Sequence, residues 1–197
     1  TVLPYAGNDT VVEFCDAVTT LDLATLLQGN FNAGGNWNQV VPGGNLTGAI
    51  WDATGVSYGT YVFTYQVAGV CNTLDEAQLT LILKEPIPDL VGTDFIEVCS
   101  GTPVAFSITT VTNAQYLWTG PNGFSSVVQE PSFSTTSLID SGIYQLVVTR
   151  NGCQKTTSVE LVVHALPEFT LVQGCFGGQY KVELLPINNS FDPTTAN

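Results

Sequence analysis

The sequence predicts an all-β protein: two sandwich domains in succession, followed by the opening strands of a third. Three observations carry that prediction. Apolar residues alternate over short runs, as in Tyr61, Phe63, Tyr65, Val67 and in Tyr144, Leu146, Val148, with no helical period lasting beyond a turn or two. The same order of signals also occurs twice. Gly59-Thr60-Tyr61 opens an alternating run, a turn follows at Gly69, and Cys71 heads the next strand, with Leu79, Leu81 and Leu83. Asp140-Ser141-Gly142-Ile143-Tyr144 opens another, the Asn151-Gly152 pair signals a tight hairpin, and Cys153 heads the next strand. Finally, cysteines and tryptophans recur at matched spacing. Cys15 lies 56 residues before Cys71 and Cys99 lies 54 before Cys153; Trp37 follows Cys15 by 22 and Trp118 follows Cys99 by 19. Cys99 comes 84 residues after Cys15 and Cys175 comes 76 after Cys99, so the period is that of a whole domain with its own core and not of a solenoid turn.

Each element follows from these cues. In the first domain, 1–85, Val11, Val12 and Phe14 make a strand reaching Cys15. Leu21 to Leu27 make the second, and Gly34-Gly35 turn the chain into a third at Trp37. Residues 38–48 are polar and glycine-rich, a long loop before Ala49 to Asp52, and the Tyr61 and Leu79 strands close the domain. Glu85-Pro86-Ile87-Pro88 is a linker, because two prolines one residue apart cannot continue a ladder and favour extended chain. The second domain, 86–165, has strands at Phe95 to Val98, at Val104, Phe106 and Ile108, at Tyr116 and Trp118, a short one at Phe133, and the closing hairpin through Cys153 to Val163. His164-Ala165-Leu166-Pro167 repeats the linker. Residues 166–197 are too few to bury a core alone and read as the start of a truncated third repeat. Methionine is absent, so the chain is expected to be an internal piece or a processed product.

Seventeen acidic against four basic residues give a net charge of −13, which repels nucleic-acid phosphates and anionic membranes. No apolar run has the length of a membrane span. Five cysteines at corresponding positions read as one bridge per repeat, Cys15 to Cys71 and Cys99 to Cys153, with Cys175 left over. Bridges imply an oxidising compartment, and closing loops of this size contributes about 4 kcal/mol to each domain in the chain-entropy treatment. A zinc site is a poor competitor, since the spacing is not C-x-x-C and there is one histidine.

Several stretches resemble the Ig-like/PKD-like tandem repeats of large Bacteroidota cell-surface proteins exported by the type IX system, gliding-motility adhesins among them. In the first domain these are Leu23-Ala24-Thr25-Leu26-Leu27, Gly34-Gly35-Asn36-Trp37, Trp51-Asp52-Ala53-Thr54-Gly55 and Gly59 to Tyr65. In the second they are Tyr116 to Phe124, Gly142-Ile143-Tyr144 and Asn151-Gly152-Cys153. The resemblance implies tandem immunoglobulin-like β-sandwich domains, one disulfide each, arranged end to end. It also implies a tyrosine corner at Tyr144, whose hydroxyl bonds back to nearby backbone, and a core place for Trp118. One departure is Leu146, two residues after that tyrosine, where antibody domains carry the bridging cysteine. The family implies surface display and adhesion, with neighbouring repeats and surface polysaccharide as partners, and no catalytic residues. Asp9-Thr10-Val11 is similar to the O-glycosylation motif of that phylum, which makes Thr10 the candidate for modification.

Chemistry-bearing residues are few. His164, the sole histidine, sits at a strand end beside a proline linker and has neither a cysteine nucleophile nor a placed serine in view. Asp9, Asp89 and Asp94, with Glu97, at the starts of the two domains, and Asp75 and Glu76 in the closing hairpin region of the first, are the candidates for Ca²⁺, although their spacing matches no calcium loop and solvated acidic loops are commoner. Trp37, Trp51, Tyr58 and Tyr5 are candidates for a sugar-binding platform; Trp37 is expected in the core, leaving Trp51 and Tyr58 as the exposed pair. Asn8, Asn45 and Asn188 head N-glycosylation sequons, which mark surface positions. Three readings follow: a non-enzymatic stalk segment of a repetitive adhesin, a carbohydrate-binding or spacer module of a secreted enzyme, and a subunit of an extracellular filament joined by strand addition.

Overall fold

The computed structural model describes residues 3–187. The chain forms two compact units, Thr1–Pro88 with Asn151–Cys153, and Asp89–Arg150 with Gln154–Asn197. The sequon at Asn188 and the last ten residues of the expected third repeat lie outside the described residues.

In the first unit β1 (Thr10–Phe14), β2 (Thr20–Asp22), α1 (Leu23–Leu26), β3 (Asn36–Gln39), β4 (Asn45–Thr47), β5 (Ile50–Asp52), β6 (Gly59–Ala68) and β7 (Leu74–Leu83) follow in order. They make a four-stranded sheet, β1-β7-β6-β3, and a three-stranded sheet, β2-β5-β4. Strand β6 buries Tyr61, Phe63, Tyr65 and Val67, and β7 buries Ala77, Leu79, Leu81 and Leu83, the period-2 pattern read from sequence. The strand expected over Leu21 to Leu27 stops at Asp22. The Asp22 carboxylate accepts the Ala24 amide at 3.1 Å, capping one helical turn that carries Leu23 and Leu27, four apart, into the core. The loop expected over 38–48 contains β4, and Cys71 lies in the turn before β7 instead of heading a strand.

The second unit comprises β8 (Phe95–Cys99), β9 (Val104–Ala105), β10 (Gln115–Thr119), β11 (Ser125–Ser126), β12 (Ser132–Phe133), β13 (Gly142–Arg150) and β14 (Cys153–His164), the last from Gln154 onward, since Cys153 groups with the first unit. They form a five-stranded sheet, β8-β14-β13-β10-β11, and a β9-β12 pair. Phe106 and Ile108 are buried as expected, yet the ladder there ends at Ala105. Asn151 and Gly152 both take positive φ (51° and 81°), the conformation that a two-residue hairpin turn requires. Beyond it, β15 (Phe169–Phe176) and β16 (Gln179–Pro186) make a separate antiparallel hairpin.

The first and last strands of each sandwich pair in parallel: Thr10↔Leu79 through Phe14↔Leu83, and Phe95↔Glu160 through Cys99↔His164. This register overturns the expected bridges. Cys15 follows β1 beside the end of β7, whereas Cys71 lies before its start. The ten residues of β7 hold the two cysteines about 30 Å apart at ~3.3 Å per residue, and a disulfide needs Cα atoms within about 7 Å. Cys99 and Cys153 are separated in the same way by the twelve residues of β14. The bond that forms is Cys15–Cys153, with Cα atoms 5.6 Å apart, while Cys71, Cys99 and Cys175 are free and exposed.

Candidate functional site

Tyrosine corners close both sandwiches. The Tyr144 hydroxyl donates to the Asp140 carbonyl at 2.8 Å, and Tyr61 donates to Ser57 at 2.7 Å, each four residues back. Asp140 holds its own turn, its carboxylate accepting the Ser137 amide at 2.7 Å and hydroxyl at 2.8 Å. Burial, with the nearby Asp140 charge, pushes the Tyr144 phenol above its ordinary value. Each ring is packed so closely on a glycine that a Cβ at Gly120 would lie 2.4 Å from Tyr144, and one at Gly43 would lie 2.4 Å from Tyr61.

A second shared feature spans the parallel strands. Lys84 reaches back to Glu13 at 2.6 Å, and His164 reaches back to Glu97 at the same distance. Glu13 lies opposite Ile82 and Glu97 opposite Val162, so in each unit the basic partner stands two residues beyond the acidic one's register mate. This explains His164 as a cross-strand latch. Nothing in the sequence marked it, because the pairing depends on a register that local patterns do not encode. Both pairs reach solvent, so each contributes under about 1 kcal/mol.

Trp51 does not face solvent. It is fully buried, stacks near Tyr61 (5.0 Å) and Phe63 (5.1 Å), and donates its indole N–H to the Gly43 carbonyl at 2.9 Å. In the second unit Trp118 has the same environment, packing on Phe106 at 5.1 Å and donating to Gln129. The first sandwich therefore takes its core indole from β5, and the second takes it from β10. Trp37, expected in the core, is half-buried beside Tyr65, with ring centroids 4.9 Å apart. It faces Tyr65 across β3 and β6, the register position that Tyr116 occupies opposite Val148 on β10.

Trp37, Phe31 and Tyr65, with Gly34, Gly35 and Asn36, line an open groove of about 520 Å³ in the first unit. The Tyr65 hydroxyl donates to the Asn32 carbonyl at 2.7 Å and accepts the Gly35 amide at 2.9 Å, which fixes the loop that rims it. Neither Trp51 nor Tyr58, the pair expected to be exposed, lines this groove. Tyr58 is 53% exposed and stands over a separate, smaller depression lined by Val18, Val56 and Leu83. Tyr5 is exposed, and its hydroxyl donates to the Asn8 side chain at 2.6 Å.

The remaining candidates have structural employment. The Thr10 hydroxyl is buried, donates to the Asn8 carbonyl at 2.9 Å and accepts the Gln28 amide at 3.3 Å, so a glycan has no room there in the folded unit. Asp9 accepts the Gln78 amide at 2.8 Å, Asp75 accepts the Ala6 amide at 2.7 Å, and the Asp94 carbonyl accepts the Glu160 amide at 2.8 Å. Asp89 pairs with Lys155 at 2.7 Å, and the hydrogen bond and charge of that ammonium hold its carboxyl below the usual range. Among the described residues no three His, Cys, Asp or Glu side chains gather as a metal site, and no helix is long and apolar enough to cross a membrane.

No known family matches the chain, and no curated protein is a detectable relative. Solved structures similar to it are immunoglobulin domains. The Ig-like domain of human leucine-rich repeat-containing protein 4 is 21% identical over 43% of this chain and 95% of its own, with a TM-score of 0.37. The N-terminal four Ig domains of Dscam1 isoform 6.9 are 16% identical over 83% of this chain, also at TM-score 0.37, and Sidekick-1 domains 1–4 are 19% identical over 82% at 0.37. The chain spans under half the length of those two, 45% and 47%. The immunoglobulin-like reading rests on the sheet order and the two tyrosine corners.

Proposed function

We propose that this chain is a non-enzymatic, load-bearing segment of a large repetitive bacterial cell-surface adhesin, its immunoglobulin-like units set end to end as an extended stalk. The observation that supports it is the parallel pairing of each unit's first and last strands. A force applied directly between the start of β1 and the end of β7 pulls those strands past each other, so the bonds from Thr10↔Leu79 to Phe14↔Leu83 are loaded together and not one at a time, while in the chain held by its ends the Cys15–Cys153 bond carries the load past β7. The Cys15–Cys153 bond suits the oxidising exterior where such a stalk works. Within this reading, export by the type IX system, attachment in gliding motility and display at a bacterial surface are the settings proposed.

The test pulls the first unit through handles at Thr10 and Leu83, which load β1 and β7 in shear, and through handles at Phe14 and Leu83, which peel them apart from one end. Shear is expected to require several times the force of peeling. Equal forces in the two geometries would refute the load-bearing reading.

A second reading, a carbohydrate-binding module, is favoured by the Trp37 groove, since a half-buried indole beside glycine-rich backbone offers a face on which a sugar can stack. A glycan screen decides it. Trp37→Ala is expected to abolish any binding found, and binding unchanged in that variant would remove the groove from consideration.

A further inference from the structure

The groove of about 520 Å³ in the first unit is built from ring faces and bare backbone. Phe31 and Trp37 both pack on the buried Tyr65, with centroids 5.5 Å and 4.9 Å from it and ring planes turned 75° and 39° from its own. Each keeps part of its ring exposed, so two faces inclined to one another border the same space. The rest of the lining is glycine and alanine, apart from Asn36. Strand alternation turns the Asn36 side chain to the face opposite Trp37. The Tyr65 hydroxyl already donates to the Asn32 carbonyl and accepts the Gly35 amide, so its hydrogen bonds serve the rim loop. What the groove offers a ligand is the negative face of aromatic rings.

Charge narrows the choice of ligand. Residues 1–88 carry eight aspartates and glutamates against one basic side chain, Lys84, which is itself paired with Glu13 at 2.6 Å. The field of this unit attracts cations, and no lysine or arginine lines the groove to receive a phosphate or carboxylate. An ammonium bearing N–H groups would give up its water here without side-chain acceptors to replace it. A quaternary ammonium has no N–H and is held by ring faces alone. We propose that the groove lined by Phe31 and Trp37 binds a small, singly charged quaternary ammonium compound of the choline type. The inference rests on the groove and on the charge of its unit, independently of the stalk role and of sugar binding.

Recognition of this kind depends on charge and not on shape alone. Choline should bind about tenfold more tightly than its uncharged carbon isostere, in which a tert-butyl group replaces the trimethylammonium. Phosphocholine, the same cation with a phosphate attached, should bind more weakly than choline, because its anionic end meets an acidic unit with no basic partner in the groove. Added salt should weaken choline binding by screening the attraction. Trp51 and Trp118 are fully buried, so among the three tryptophans Trp37 is the one whose emission a ligand in the groove can alter by contact.

The test titrates the full chain with choline, its uncharged isostere, phosphocholine and a panel of neutral oligosaccharides, following tryptophan emission and, for the variants, heat by calorimetry. Choline should give a saturable response in the millimolar range. Trp37→Ala and Phe31→Ala should each lose it, and Trp37→Phe, which keeps a ring face, should retain it in weakened form. Equal affinity for choline and the isostere would overturn the proposal, as would no response to choline or an undiminished response in Trp37→Ala. A saturable response to an oligosaccharide with none to choline would also overturn it, and would leave the carbohydrate reading standing. Circular dichroism of each variant separates loss of the site from loss of the fold. The ranking of choline over its isostere is read on the unaltered chain, so it decides even where an alanine variant unfolds.

Discussion

Cutting the Cys15–Cys153 bond should release a length of chain that can be counted. The bond spans 138 residues, so with it intact a force applied at the two ends passes through the sulfurs and bypasses everything between them. At ~3.4 Å per extended residue the sequestered stretch is about 470 Å, set against a Cα separation of 5.6 Å across the bond. The assay is single-molecule stretching of the Cys71→Ser/Cys99→Ser/Cys175→Ser protein, held by its termini, in which Cys15 and Cys153 are the cysteines remaining. Without reductant, extension should come only from residues outside the loop. With reductant, about 470 Å of further extension should appear, divided among the unfolding steps of the two sandwiches. Equal total extension in the two conditions would refute the pairing, and with it the register argument that places Cys15 and Cys71 at opposite ends of β7.

Other outcomes follow from the packing. Trp51→Ala should destabilise the first unit by about 3–5 kcal/mol in urea unfolding, the range for emptying a buried aromatic site, while Trp37→Ala should cost less than half as much because its ring is only half-buried. Tyr144→Phe and Tyr61→Phe should each lose about 1 kcal/mol, the net worth of one corner hydrogen bond. Tyr144 also sets an alkaline limit. Its folded pKa is raised above the ordinary 10.0, so the unfolded chain gives up that proton first; the contribution is fully present below pH 10.0 and is lost as pH rises through the folded value. Urea titrations in this alkaline range should show the second unit weakening with pH, less steeply in Tyr144→Phe. Breaking the disulfide by Cys153→Ser should lower stability by up to about 5 kcal/mol, the chain-entropy value for a loop of 138 residues.

What could be read from the residues alone is what local physics controls. Alternation of apolar side chains at period 2 located β6, β7, β13 and β14, the Asn151-Gly152 pair located a hairpin, and Tyr144 announced a bond reaching only four residues back along its own chain. Spacing also marked the cysteines as equivalent in pairs, yet it could not say which bond to which. That depends on whether the first strand runs with the last or against it, and parallel pairing carries no signature in either strand by itself. The same limit hid Trp51, since a three-residue strand looks alike whether its central residue faces the core or the solvent. The position opposite Phe63 that would hold the indole on β3 is Gln39, so the first sandwich fills that space from β5. Tertiary structure decided these points because contact between residues distant in sequence is fixed by the joint packing of both sheets, a property of no single segment.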